Sequence, residues 1–268
     1  MLSARNEHLD LDGDHFDYIS FGTGKDNLIM IPGVGDGFKT AKGMAIPFSI
    51  LYRTFAEKYR VYVFSRRNPL PSGFSIQNMA EDIARMMDKI GLKKADVFGV
   101  SQGGMIAQQL AVHFPEKVSK LVLVVTSPGI TPIMEEALND WLEMSKQGQY
   151  RKIMLDTAMR SYTGDYLKKS VGMYRILSDF SKPKDFSRFQ ILCKACLSYD
   201  AREQIHQITC PTYVIGGGQD MVLGVEASKE LADKIPGSVL YIYEELSHGL
   251  YEQAKDFNER VLGWLAKE

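Results

Sequence analysis

Apolar runs rich in β-branched residues recur along this chain, and each is followed by a segment of helical periodicity. Asn27–Ile31 (NLIMI), Arg60–Ser65 (RVYVFS), Ala95–Val100 (ADVFGV), Lys120–Val125 (KLVLVV), Thr212–Gly217 (TYVIGG) and Ser238–Tyr243 (SVLYIY) read as strands. Most lack the polar alternation of a strand with one wet face, so both of their faces must be covered. The earlier stretch His15–Gly22 (HFDYISFG) does alternate, and it predicts an antiparallel edge strand. Few folds accept such runs: a mainly parallel sheet with helices on both sides is the natural solution.

The intervening segments have the required helical faces. Met79, Ile83, Met86, Met87 and Ile90 share one side of a helix, with Ser75 placed to cap its start and Gly91 to end it. Phe257, Val261, Leu262 and Leu265 repeat the device near the C-terminus. From Pro128 to Gln207 the strand rhythm stops, and helix-like pieces rich in Met, Tyr and Leu take over, such as IMEEALNDWLEMSKQ and YRKIMLDTAMRSYTG. This reading makes residues 1–127 and 208–268 one core, interrupted at 128–207 by a helical cap insertion over the C-terminal edge of the sheet.

Length and charge narrow the function. A chain of 268 residues carries one large domain with an insertion, and a formal net charge of −1 offers no attraction to nucleic acid or anionic membrane. The opening MLSARNEHLDLDG has acidic residues where a secretory leader needs an apolar run, and no stretch reaches the ~18 apolar residues of a membrane span. The 3 cysteines, Cys193, Cys196 and Cys210, are too few and too irregular for a disulfide framework. Cys193 and Cys196 have CxxC spacing but no second pair to complete a zinc site. Reduced thiols in a cytoplasm-like compartment, no metal and no organic cofactor are the expectation.

The junction VFGVSQGGMIAQ carries the chemistry. A buried strand ends at Val100 and a helix begins at Gln102, with Ser101 at the corner and glycines at 99, 103 and 104. A turn this tight forces the serine into a strained conformation, while the glycines let strand and helix pass closely. Ser101 Oγ is thereby pushed out at the top of the sheet, beside the free N–H groups of a helix start.

With this motif the chain resembles the α/β-hydrolase fold family, whose nucleophile elbow follows G-x-S-x-G. The resemblance implies an eight-stranded, mainly parallel sheet and a Ser…Asp…His order of catalytic residues. Among the 5 histidines, His248 in EELSHGLYEQ follows the last strand and belongs on the serine's edge. His8, His15, His113 and His206 fall elsewhere. Asp220, just past the strand that ends near Gly216, is the candidate acid, and Glu244 and Glu245 are fallbacks. Oxyanion donors are expected from the backbone N–H of Gln102 and, by resemblance, of Val34 in the loop Pro32–Gly37. Relatives commonly carry His-Gly where this chain has Pro32-Gly33, a departure that touches the loop's geometry. Arg66 and Arg67 read as loop pins rather than substrate contacts.

These residues predict a serine hydrolase acting on a small, moderately hydrophobic carboxylic ester or lactone, with Trp141, Met144, Met154 and Met159 lining the substrate pocket. C–C bond hydrolysis or perhydrolase chemistry on the same triad, and a small-molecule receptor with slow turnover, are the competing readings. The partner expected is a small molecule, not nucleic acid or membrane.

Overall fold

A computed structural model describes residues 3–267; Met1, Leu2 and Glu268, at the outer ends of the two expected core segments, lie outside the described residues. The strands are β1 Arg5–Leu11, β2 Asp14–Phe21, β3 Asp26–Ile31, β4 Tyr59–Phe64, β5 Ala95–Val100, β6 Val118–Val124, β7 Thr212–Gly217 and β8 Val239–Tyr243. They form one sheet in the order β1-β2-β4-β3-β5-β6-β7-β8. All pairings from β4 through β8 are parallel, while β1–β2 and β2–β4 are antiparallel. The helices are α1 Ala45–Leu51, α2 Arg53–Ala56, α3 Ile76–Lys89, α4 Gln102–His113, α5 Pro132–Lys146, α6 Tyr150–Ser161, α7 Gly164–Ser181, α8 Ser187–Leu197, α9 Val225–Lys234, α10 Leu250–Gln253 and α11 Phe257–Leu265.

The continuous apolar runs have the predicted cause. Ile29 and Ile31 of β3 and Leu121 and Leu123 of β6 enter the core on one side of the sheet. Leu28, Met30, Val122 and Val124 enter a second core on the other side. Local signals hold as well: Ser75 caps α3 through a reciprocal bond pair with Asn78, and Gly91 beyond its end has φ +75°.

Two strand readings change. His15–Gly22 is not the edge: β1 lies outside it, paired from Arg5 with Ser20 to Leu11 with Asp14. That edge strand, RNEHLDL, is polar and mostly solvated, so it carries no apolar run to reveal it. At the opposite edge β8 is a run of apolar residues without a second cover, and Val239 and Leu240 stay exposed.

Helices α5 to α8 occupy the stretch between β6 and β7. Its two ends are stitched together beside the sheet, where Ala201 N–H donates to the Pro128 carbonyl at 2.7 Å.

Candidate active site

β5 delivers Ser101 to the C-terminal edge of the sheet. The residue has φ 54° and ψ −122°, a left-handed conformation that a non-glycine residue adopts only under tertiary constraint. The constraint is visible around it. A Cβ on Gly103 would lie 1.9 Å from the Ile31 carbonyl oxygen, and one on Gly99 would lie 2.5 Å from the Gly103 carbonyl oxygen. Only glycines let α4 pack this close to β3 and β5.

The loops after β7 and β8 bring the other two groups to the same rim. His248 Nε2 lies 3.0 Å from Ser101 Oγ, and His248 Nδ1 lies 2.9 Å from Asp220 Oδ2. With Nδ1 donating to Asp220, Nε2 is the nitrogen that accepts from the serine. Asp220 Oδ1 in turn accepts the N–H groups of Val222 and Leu223 at 2.8 and 2.9 Å. Burial disfavours the Asp220 charge, but His248 and these two amides outweigh it and hold the carboxyl below the usual aspartate range. Glu244 and Glu245 point into solvent instead. Of the remaining histidines, His15 bonds Asp10, His8 stacks on His15, and His113 bonds Gln109.

The histidine loop is also seamed to the end of α6. Gly249 N–H donates to the Ser161 carbonyl at 2.7 Å, and Ser247 Oγ donates to the Arg160 carbonyl at 2.6 Å. A Cβ on Gly249 would meet the Tyr162 ring at 2.2 Å, so glycine is required for this contact.

Beside Ser101 runs the loop after β3. Val34 opens a short 3-10 turn, Val34–Gly37, and a Cβ on Gly33 would come within 3.3 Å of the Ser101 Cβ. Among the described residues, neither the Val34 nor the Gln102 amide is engaged in an intramolecular hydrogen bond. Pro32 contributes its carbonyl: Arg66 Nη2 donates to it at 2.5 Å and to Gln102 Oε1 at 3.0 Å. Arg66 is buried, which pushes its pKa down to about 10 with help from neighbouring Arg188, against the pull of Asp36. Arg188 of α8 bonds Asp36 Oδ2 at 2.6 Å and the Arg66 carbonyl at 3.0 Å, tying α8 to both loops. Arg67 acts as the expected pin, paired with Asp14 at 2.6 Å and with Asp82.

Ser101 and His248 open on a cavity of about 560 Å³ between the sheet edge and helices α1 and α5 to α8. Trp141 and Met154 line it, and the Trp141 Nε1–H is satisfied by Asp156 at 2.7 Å. Met144 and Met159 do not. Met154, Thr157 and Ser161 of α6 share the face that meets the cavity, which turns Met159 outward to 53% exposure. Met144 packs instead on the core beneath α5.

Sequence reasoning missed the far wall, formed by Tyr52, Tyr162, Tyr174, Tyr251 and Glu252. Glu252 Oε2 accepts from Tyr162 at 2.8 Å and from Tyr166 at 3.5 Å. Its side chain keeps open surface although protein surrounds it. Burial pushes its pKa up, against the tyrosine hydroxyls that pull it down. The tyrosines of YTGDY after α6 and the pair YE after His248 are the sequence trace of this cluster. The cysteines do not line the cavity: Cys193 and Cys196 are buried on α8, where Cys196 Sγ accepts from Gln102 Nε2 at 3.1 Å.

Comparison with known proteins agrees with this architecture. Residues 26–255 match the model of the alpha/beta hydrolase fold. A 3-oxoadipate enol-lactonase of Acinetobacter baylyi is 26% identical over 212 residues, 77% of this chain and 79% of that protein. A 2-hydroxy-6-oxononadienedioate/2-hydroxy-6-oxononatrienedioate hydrolase of a Pseudomonas species is 26% identical over 265 residues, 92% of this chain and 90% of its own. The crystal structure of the enol-lactonase from Burkholderia xenovorans LB400 superposes with a TM-score of 0.82 at 18% identity, covering 97% of this chain and 100% of that one.

Proposed function

The chain belongs to the alpha/beta hydrolase fold family, and on that premise we propose that it is a serine hydrolase cleaving a small, moderately hydrophobic carboxylic ester or lactone. The observation that carries the reading is the unbroken relay from Asp220 through His248 to Ser101, with both bonds at 3.0 Å or less. A serine hydroxyl needs a base to become a nucleophile, and the imidazole needs a fixed tautomer to be that base.

Ser101 Oγ attacks the carbonyl carbon while its proton passes to His248 Nε2. The carbonyl oxygen becomes an oxyanion and takes the Val34 and Gln102 amides. The intermediate collapses, the C–O bond to the leaving alcohol breaks, and that alcohol receives the proton from His248. Water, deprotonated by the same nitrogen, then attacks the acyl-enzyme and releases the acid. In a lactone the leaving alcohol stays tethered to the acyl group. The chemistry calls for no metal or organic cofactor.

Residues 128–207 serve as the cap over a core of 1–127 and 208–268, a role supported by the cavity walls that α5, α6 and α8 supply through Trp141, Met154 and Phe189. The free thiols of Cys193, Cys196 and Cys210 support a cytoplasmic setting. C–C bond cleavage on the same relay is the second reading, and the dienedioate hydrolase above favours it. Glu252 weighs against a dicarboxylate substrate: it faces the cavity, and no lysine or arginine bonds it among the described residues.

The test is turnover of p-nitrophenyl acetate and butyrate and of a simple aliphatic lactone, with fluorophosphonate labelling. Ser101→Ala should lower ester turnover by about 10,000-fold or more and abolish labelling. Undiminished turnover in that variant removes Ser101 as the nucleophile.

A further inference from the structure

Glu252 is a carboxylate on the wall of an otherwise largely aromatic and aliphatic cavity. Its hydrogen-bond partners are hydroxyls, Tyr162 at 2.8 Å and Tyr166 at 3.5 Å, with Tyr251 beside it. Hydroxyls stabilise a carboxylate but leave its charge in place. The buried acids Asp36 and Asp82, by contrast, each meet an arginine: Asp36 has Arg188 and Asp82 has Arg67. Lys39 also borders the cavity, but its ammonium contacts the Met44 sulfur at 3.7 Å. The rings around Glu252 are the second half of the observation. Tyr162 and Tyr166 lie 4.9 Å apart at 52°, and Tyr174 and Tyr52 face the same space. Aromatic faces and a carboxylate attract one class of group, a cation with an apolar stem.

We propose that Glu252 and its tyrosines form a subsite for an ammonium group at the non-reacting end of the substrate, so that the ester or lactone cleaved at Ser101 carries an amine. The proposal rests on the hydrolase reading for its chemistry but not for its binding. Burial raises the pKa of Glu252 in the ligand-free protein, and an ammonium seated on the carboxylate would restore the charged form. The position of Glu252, four residues beyond His248 and bonded to Tyr162 next to the α6 end, fixes the subsite relative to the reacting carbonyl. It therefore selects a range of chain lengths as well as a charge.

Two measurements test it. In the first, p-nitrophenyl esters of ω-aminoalkanoic acids of increasing length are compared with isosteres bearing methyl in place of the ammonium. Wild-type kcat/KM should favour the cationic ester at one chain length. In Glu252→Gln that preference ratio should shrink by on the order of fivefold, the upper range for losing one partner of a solvent-accessible charge pair. A wild-type preference for the neutral ester at every length overturns the proposal, and so does a ratio that Glu252→Gln leaves unchanged. In the second, n-hexylammonium and n-hexanol are titrated into the Ser101→Ala protein and followed by calorimetry, with no turnover needed. Stronger binding of the ammonium, lost in Ser101→Ala/Glu252→Gln, supports the subsite even if no ester is hydrolysed. Equal binding of the two probes overturns the subsite even if esterase activity is strong.

Discussion

The floor of the cavity and its roof are built by different rules. On the floor, backbone geometry dictates nearly every residue: Ser101 sits at φ 54°, Gly99 and Gly103 leave no room for a Cβ, and Asp220 and His248 stand in the loops directly after β7 and β8. On the roof, α5 and α6 present ordinary amphipathic surfaces, and which face meets the cavity depends on how the helices seat on the sheet. In the proposed hydrolase the floor would fix the reaction and the roof the choice of substrate. A fold family can therefore keep one and vary the other.

The largest break in the comparison comes from the floor. Asp220→Asn preserves shape but offers an amide to His248, which no longer holds the Nδ1–H tautomer. It should lower kcat by about 10,000-fold with little change in KM. The same carboxyl also contributes to stability. Its folded pKa lies below the ordinary aspartate value of about 3.9, so the contribution is present above that value and is lost as pH falls through the depressed one. A melting-temperature series against pH should show this acid loss in wild type and not in Asp220→Asn.

Arg66 tests whether the floor extends below the rim. It holds the Pro32 carbonyl and the Gln102 side chain, which flank the two amides assigned to the oxyanion. Arg66→Met should cost about 100-fold in kcat, since displacements near 1 Å at a catalytic group cost that much, while KM stays near wild type. A change confined to KM would place Arg66 in substrate binding instead.

The roof answers to smaller changes. Met154→Ala should raise KM for butyrate esters several-fold by removing an apolar cavity wall, an effect of about 1–3 kcal/mol at most per pocket group. Met159→Ala, five residues along the same helix and exposed, should leave both constants at wild type. Equal effects from the two would mean that α6 turns in solution to present a different face.

This asymmetry also explains what could be read without coordinates. The parallel core was legible because strands covered on both faces must be apolar throughout, as Leu28–Ile31 and Leu121–Val124 are. The relay was legible because elbow and loops are local features of chain order. β1 was invisible because an edge strand such as RNEHLDL needs no apolar residues. Met144 and Met159 were misplaced because helical periodicity identifies a buried face without saying what buries it. Arg188 and Glu252 were hidden because a charge acquires its meaning only from partners distant in the chain: Arg188 from Asp36, and Glu252 from Tyr162.

Glu252 stands where floor and roof meet, and its titration runs opposite to that of Asp220. Its folded pKa is raised by burial, so at neutral pH the fold carries a cost that the unfolded chain, ionising near about 4.3, does not. Wild type relieves this cost as pH falls through the raised value, because the folded protein takes up the proton first. Glu252→Gln should therefore melt about one or two degrees above wild type at neutral pH, a gap that closes on acidification towards the ordinary glutamate range. A carboxylate whose removal stabilises the fold serves something other than folding, which is the pattern of a group that pairs with a charged ligand. If Glu252→Gln melts lower at neutral pH, the tyrosine hydrogen bonds outweigh the unpaired charge, and the carboxylate belongs to the seam between α6 and the histidine loop.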